Sequence, residues 1–226
     1  MPRMVPGHKW IRALVDGQVV VDARAFTFVW EIPYWPTWFF RPEDLDGELR
    51  ASDGAPRRRS DLDGAQRYDF HAAGKVLIGA AKRYPDSPSE ELRELVTIDF
   101  KAVDRWFEED VEVFVHPRSP FTRVDALASS RHIVISIDGV TLADSHKPTL
   151  LFETGAPTRH YLPMTDVELD LLKPSATKTS CPYKGDATYW SASINGRVER
   201  DIAWSYRTPM PEATPIAGLV CLYDEK

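Results

Sequence analysis

The chain has little of what most catalytic and metal motifs need. Its 226 residues hold two cysteines, Cys181 and Cys221, and no C-x-x-C pair or H-E-x-x-H run. That pattern argues against a dedicated zinc site and against a secreted disulfide framework. No G-x-x-x-x-G-K-[ST] loop, no G-x-G-x-x-G and no G-x-S-x-G elbow occurs, so phosphate-loop, dinucleotide and serine-hydrolase readings lose their usual signals. Basic runs are scarce too. Arg57-Arg58-Arg59 sits beside Asp61 and Asp63 and reads as a solvated loop. A formal net charge of −6 argues against a nucleic-acid backbone as partner. No stretch approaches the roughly 18 apolar residues of a membrane span, and MPRMVPGHKW lacks the apolar segment of a secretory leader. The expectation is therefore a cytoplasmic protein, monomeric or homodimeric, with no membrane partner and no cofactor.

What the chain does contain is itself, twice. A shift of 122 positions lays Ile11 on Ile133, Asp16-Gly17 on Asp138-Gly139 and Asp22 on Asp144. The same shift lays Glu31 on Glu153, Gly74 on Gly196 and Tyr84 on Tyr206. A period this long marks a duplicated domain, since solenoid repeats run to about 20–50 residues.

Each copy opens on two β-rich runs around Asp-Gly, a hairpin signal because the tight turn needs positive φ at both central residues. Third strands are expected over 25–30 and 148–152. Further strands are expected over 159–162, 189–194, 197–204 and 216–223, the last matched by 94–100. Helix is expected to be scarce: Ser87 can cap a short helix over 87–95, and 101–108 offers another. The 18 prolines fit short strands and loops. The fold class is mainly β, as two tandem β-rich domains, each a small barrel or curved-sheet sandwich with few short helices. The boundaries read as 1–115 for the first copy, 116–130 for a linker, and 131–226 for the second copy. Val111 to Val115 reads as a last strand of copy one; copy two either lacks it or takes it from the linker region.

Chemistry concentrates in the second copy. Cys181-Pro182-Tyr183-Lys184-Gly185 places a thiol three residues before an ammonium, and a nearby cation favours the thiolate. The same run is also what a buried cysteine at a strand end and a surface lysine look like. Copy one carries Ser60-Asp61-Leu62-Asp63-Gly64 there and lacks the thiol and the lysine. Glu153, matched by Glu31, serves either as a structural acceptor or as a site acid. Trp204 and Tyr206 alternate onto one strand face, with Tyr161, Tyr189 and Trp190 adding aromatics and Asp201 a second acid. Such groups suit both a core and a ligand pocket.

The blocks LLFETGAPTRHYLP, DLLKPS, CPYKG-x-A-x-YWS, NGRV and D-x-AWSY resemble the bacterial and fungal "domain of unknown function 427" family across roughly residues 131 to 226. The segment from Trp106 to Ile133 looks like the junction of its two-copy members, and copy one is similar more loosely. The resemblance implies a compact, mostly β domain around a curved sheet and no established activity. The family's recurrent residues map to Glu153, Tyr161, Cys181, Lys184, Trp190, Asp201, Trp204 and Tyr206. The family also carries a nucleotidyltransferase label, yet the G-S motif with paired metal-binding aspartates of that fold is missing here.

Three functions follow. The first is binding of a small molecule, anionic or nucleotide-like, in a pocket of copy two. The second is an enzyme with Cys181 as nucleophile and Lys184 as charge stabiliser. The third is a protein–protein adaptor.

Overall fold

The structure is a computed structural model that describes residues 1–53, 58 and 61–223. Arg57, Arg59 and Ser60, named above in the basic loop and the copy-one turn, lie outside the described residues. The chain divides into two compact units, Met1–Ser119 and Pro120–Lys226.

The first unit contains β1 (Met4–Gly7), β2 (Ile11–Val15), β3 (Gln18–Ala23), β4 (Phe26–Val29) and β5 (Thr37–Phe39). It continues with β6 (Glu48–Ala51), β7 (Gln66–Ala72), β8 (Lys75–Arg83), helix α1 (Glu90–Glu94), β9 (Thr97–Ile98), β10 (Arg105–Glu108) and β11 (Val111–Val113). The second unit contains β12 (Val124–Ala128), β13 (Ile133–Ile137), β14 (Val140–Ser145), β15 (Thr149–Glu153) and β16 (Arg159–Leu162). It ends with β17 (Leu172–Cys181), β18 (Gly185–Ile194), β19 (Arg197–Tyr206) and β20 (Val220–Leu222).

The duplication seen in sequence is a duplication of topology. Copy two builds one seven-stranded sheet in the order β12-β15-β16-β20-β19-β18-β17, with the hairpin β13-β14 beside it. Copy one builds β1-β4-β5 and β6-β7-β8-β9 as separate sheets. Two hydrogen bonds join them, from Phe40 N to Val96 O at 2.8 Å and from Val96 N to Phe40 O at 2.9 Å. Read across that bridge, the strand order is the same in both copies. Copy one then adds the β10-β11 hairpin to the edge of β2. None of the sheets closes on itself, so the barrel expectation gives way to open, packed sheets.

The turns form where the residue types demand them. Asp16-Gly17, Asp138-Gly139 and Asn195-Gly196 all take positive φ at both residues, between 48° and 80°. Asp and Asn accept the left-handed conformation at low cost and glycine has no Cβ to clash there.

Buried clusters pack on the two faces of the main sheet. In copy one, one cluster includes Ile11, Phe28, Trp38 and Phe70, and the other Val29, Phe39, Tyr84 and Leu92. In copy two the corresponding clusters are Ile135, Leu162, Ile194 and Ile202, and Leu151, Tyr161, Trp204 and Tyr206. Val29, Phe39 and Tyr84 fall on Leu151, Tyr161 and Tyr206 under the repeat shift, so the second face is the same face in both copies.

Three expectations change. The helix expected over 101–108 is a 3-10 turn at Phe100–Ala102 followed by β10, because Trp106 and Glu108 alternate inward as a strand requires. The helix over 87–95 shrinks to five residues, capped by Ser89, whose Oγ accepts from Leu92 N at 3.3 Å. Residues 124–128, read as linker, form β12, which pairs with β15 from Val124–Glu153 to Ala128–Thr149.

Candidate functional site

The duplicated glutamate ends β15 in copy two and follows β4 by two residues in copy one, and each copy satisfies it differently. Glu153 closes β15, where Val124 is its partner across the ladder. Lys184 sits in the three-residue loop between Cys181 and Gly185, which pair across the β17-β18 hairpin. Two things fix the loop. Lys184 O accepts from Met210 N at 3.1 Å, and Gly185 takes φ +94° where a Cβ would press on Thr208 O. The Lys184 ammonium then reaches the Glu153 carboxylate in a direct ion pair, with side chains 13% and 17% exposed.

Aromatic residues floor this pair. Trp204 Nε1 donates to Tyr161 Oη at 3.0 Å, a buried contact, and the two rings meet edge-on. Tyr206 is buried beside them. Burial pushes the Tyr161 and Tyr206 phenols well up, so both stay protonated donors; the Glu153 charge adds to each. Tyr189 lies 6.5 Å from Trp204, and the Arg159 guanidinium stands 5.6 Å from the Trp204 ring centre. Cys181 is half-buried at the end of β17, and Cys221, fully buried, lies under Tyr161 and Trp204 as their ladder partner.

Of the residues singled out from sequence, Glu153, Tyr161, Cys181, Lys184, Trp204 and Tyr206 gather on this face. Trp190 and Asp201 do not. Trp190 neighbours Tyr189 on β18, so it points to the opposite face and packs against the Ile135–Leu162 cluster. Asp201 sits at a bulge in the β18-β19 ladder with φ +51°. There its carboxylate accepts from Thr177 Oγ1 at 2.8 Å and its N–H donates to Ser191 Oγ at 3.1 Å, the contacts of a residue that shapes a bulge.

In copy one Glu31 is held from the strand rather than the loop. Lys82, on β8 at the position of Trp204, lies 2.6 Å from Glu31 Oε1 and 3.0 Å from Asp61 Oδ1. Tyr84 also donates to Glu31. Asp61, from the loop that replaces the Cys-Pro-Tyr-Lys-Gly turn, takes Arg67 through both carboxylate oxygens, and Arg67 bridges on to Asp99 at 2.9 Å. Burial alone would raise the Asp61 carboxyl, but hydrogen bonds from Arg67, the Arg58 backbone and Lys82 outweigh it and bring it down to about 2. The side chains of Glu31, Asp61 and Lys82 are at most 2% exposed. Sequence reading missed Lys82. Its signal was a lysine at an inward-facing strand position, aligned with a tryptophan of the other copy.

A cleft of about 230 Å³ opens beside this network in copy one, lined among others by Glu31, Trp35, Trp38, Arg58, Asp99 and His116. His116 stacks on Trp35 with centroids 4.8 Å apart, and burial lowers its pKa. The Trp38 indole N–H is buried there with no acceptor among the described residues.

No helix among the described residues is long and apolar enough to cross a membrane. No curated relative matches the chain. The family described as "Domain of unknown function (DUF427)" matches it twice, over residues 3–109 and 125–226. Those two matches cover nearly the whole chain and coincide with the two copies of the fold: the protein belongs to the DUF427 family as a tandem, two-copy member.

Proposed function

We propose that the second copy binds a small anionic molecule, phosphate-bearing or nucleotide-like, at the Lys184–Glu153 pair, with Trp204, Tyr161 and Tyr206 as its apolar floor. The observation that carries this reading is the difference in how the two lysines are held. Lys82 lines the copy-one cleft but is held by two carboxylates, with its side chain only 2% exposed. Lys184 has one carboxylate and a side chain open enough for a ligand oxygen to compete for its remaining protons. A cation on a turn held by backbone contacts, next to a buried aromatic cluster, is a recognition element of the few-polar-groups kind that small-molecule sites use. The thiol of Cys181 stands at the edge of this arrangement, and the enzyme reading rests on it; binding does not need it.

Calorimetric titration of the full chain with inorganic phosphate and with adenosine monophosphate is the test. Lys184→Ala should weaken the tighter of the two by about tenfold, the value of one charge-assisted contact of about 1.4 kcal/mol. Cys181→Ser should leave it within about twofold. Equal affinity in Lys184→Ala and the unsubstituted protein removes the site. A second reading places the ligand in the copy-one cleft, favoured by the unpartnered Trp38 N–H, which an acceptor atom would satisfy. Loss of binding in Trp38→Phe with retention in Lys184→Ala would select it.

A further inference from the structure

We propose that the β13-β14 hairpin of the second copy carries a divalent transition-metal site made by His132, Asp144 and His146. None of the three is among the candidate site residues read from the sequence, and Asp144 enters there only as a match of the repeat. The ladder brings them together. Ile133 faces Ser145 and Val134 faces Asp144, so His132 and His146 stand one step beyond, directly across from each other. Asp144 precedes His146 by two residues and therefore shares its face. The geometry follows that pattern. The two imidazoles stack with centroids 3.9 Å apart and planes 12° from parallel, and His132 Nε2 lies 2.7 Å from Asp144 Oδ1. One ligand atom from each of the three residues lies within 4.8 Å of the other two.

Two imidazole nitrogens and a carboxylate oxygen suit zinc, cobalt, nickel or copper rather than calcium or magnesium, which want oxygen ligands. Three protein ligands leave a tetrahedral ion one open position. Ligand atoms around such an ion, at about 2.0–2.2 Å from it, sit closer to one another than the present spread. All three side chains are exposed, so rotation of the rings out of their stack can close that gap.

Copy one supplies the internal comparison. The repeat shift places Trp10, Asp22 and Arg24 at the same three positions. Trp10 Nε1 donates to Asp22 Oδ1 at 2.6 Å, and the Arg24 guanidinium lies 4.5 Å from the Trp10 ring centre. That copy keeps the aspartate and surrounds it with an indole N–H and a permanent cation, neither able to ligate a metal. Copy two keeps the aspartate and replaces both neighbours with metal ligands, while providing no permanently charged side chain to pair with it among the described residues. A bound divalent cation would give Asp144 a positive partner. The search for C-x-x-C and H-E-x-x-H could not find this set, because its members are joined by strand pairing across a hairpin and not by short spacing.

The test is calorimetric titration of the full chain with zinc chloride, and separately cobalt chloride, in a non-coordinating buffer near neutral pH. One equivalent of metal should bind. His132→Ala and His146→Ala should each weaken it by about 100-fold, since loss of even a supporting group around a metal costs about 10- to 100-fold. Asp144→Asn should weaken it less, and His160→Ala, on β16, should leave it unchanged. The side chains are at the surface, so far-ultraviolet circular dichroism should show every variant folded. Zinc binding of equal stoichiometry and affinity in the His132→Ala/His146→Ala double variant overturns the proposal, as does no binding by the unsubstituted protein at millimolar zinc.

Discussion

The two copies solve one problem in opposite ways. Each places a glutamate at or just past the end of the corresponding strand, near buried aromatic side chains, and each gives that carboxylate a cation. Copy one takes the cation from the C-terminal end of β8, as Lys82, and uses its loop to supply a second carboxylate, Asp61. Copy two puts Trp204 where Lys82 would be and takes the cation from the loop, as Lys184. Lys82 is held between two carboxylates with its side chain 2% exposed, while Lys184 is held by one and is 13% exposed. The comparison explains why the absence of a lysine from the copy-one loop is not decay: the charge is present, moved to the neighbouring strand, and converted from an accessible group to a structural one.

The sharpest way to break this comparison is to remove the buried cation. Lys82→Ala leaves Glu31 with only Tyr84 and strands charge inside copy one, which should cost about 3–5 kcal/mol in urea unfolding. If that loss is no larger than the loss from Lys184→Ala, the two pairs are equivalent and the contrast between sealed and accessible is wrong.

Acid offers the next largest effect. The Asp61 carboxyl ordinarily titrates near 3.8 and is held down to about 2 in the folded chain. A depressed carboxyl contributes stability above its unfolded pKa and loses it as pH falls through the folded value. Stability should therefore drop between about pH 4 and pH 2, and the drop should be smaller in Asp61→Asn, which has no proton to take up there. Unfolding followed by tryptophan fluorescence across that range measures both. An Asp61→Asn profile with the same acid slope would show that the network of Arg67, Lys82 and Asp61 does not govern it.

Lys184→Ala sits lower on the scale. With both side chains partly in contact with solvent, the Lys184–Glu153 pair should contribute about 1 kcal/mol or less to stability. A cost near that of Lys82→Ala would mean the pair is structural after all.

The smallest effect concerns the thiols and needs no mutation. Cys181 is half-buried and Cys221 fully so. Brief treatment with iodoacetamide at neutral pH, read by mass spectrometry, should label Cys181 in the native protein and Cys221 only after unfolding. Equal labelling of the two would mean that the β16-β20-β19 ladder opens readily around Cys221.

Much of this fold was written locally. Asp-Gly and Asn-Gly dictate positive φ wherever they fall between β-branched runs, so the hairpins were legible from composition alone. So was the duplication, since one offset of 122 lays both Ile11 on Ile133 and Glu90 on Glu212. What was not legible depends on contacts far apart in sequence. The strand at Val124–Ala128 contains no strong alternation and exists because β15 offers it a partner. Trp190 and Tyr189 are neighbours with equal aromatic character, and only the phase of β18 against two cores decides which one joins the candidate site. Asp201 looked like a free acid because a bulge cannot be read from one strand. Lys82 went unremarked because nothing nearby announces Glu31, 51 positions upstream, or Asp61.

The accessible lysine is the central claim, and the measurement that meets it most directly is a two-dimensional amide NMR titration of the full chain with adenosine monophosphate. The account predicts concentration-dependent shifts clustered around Lys184, Gly185 and Glu153 and at the Trp204 indole, with the amides around Glu31 and Lys82 unmoved. Shifts confined to the copy-one residues around Trp35, Trp38 and His116, or none in either copy at millimolar ligand, would contradict it.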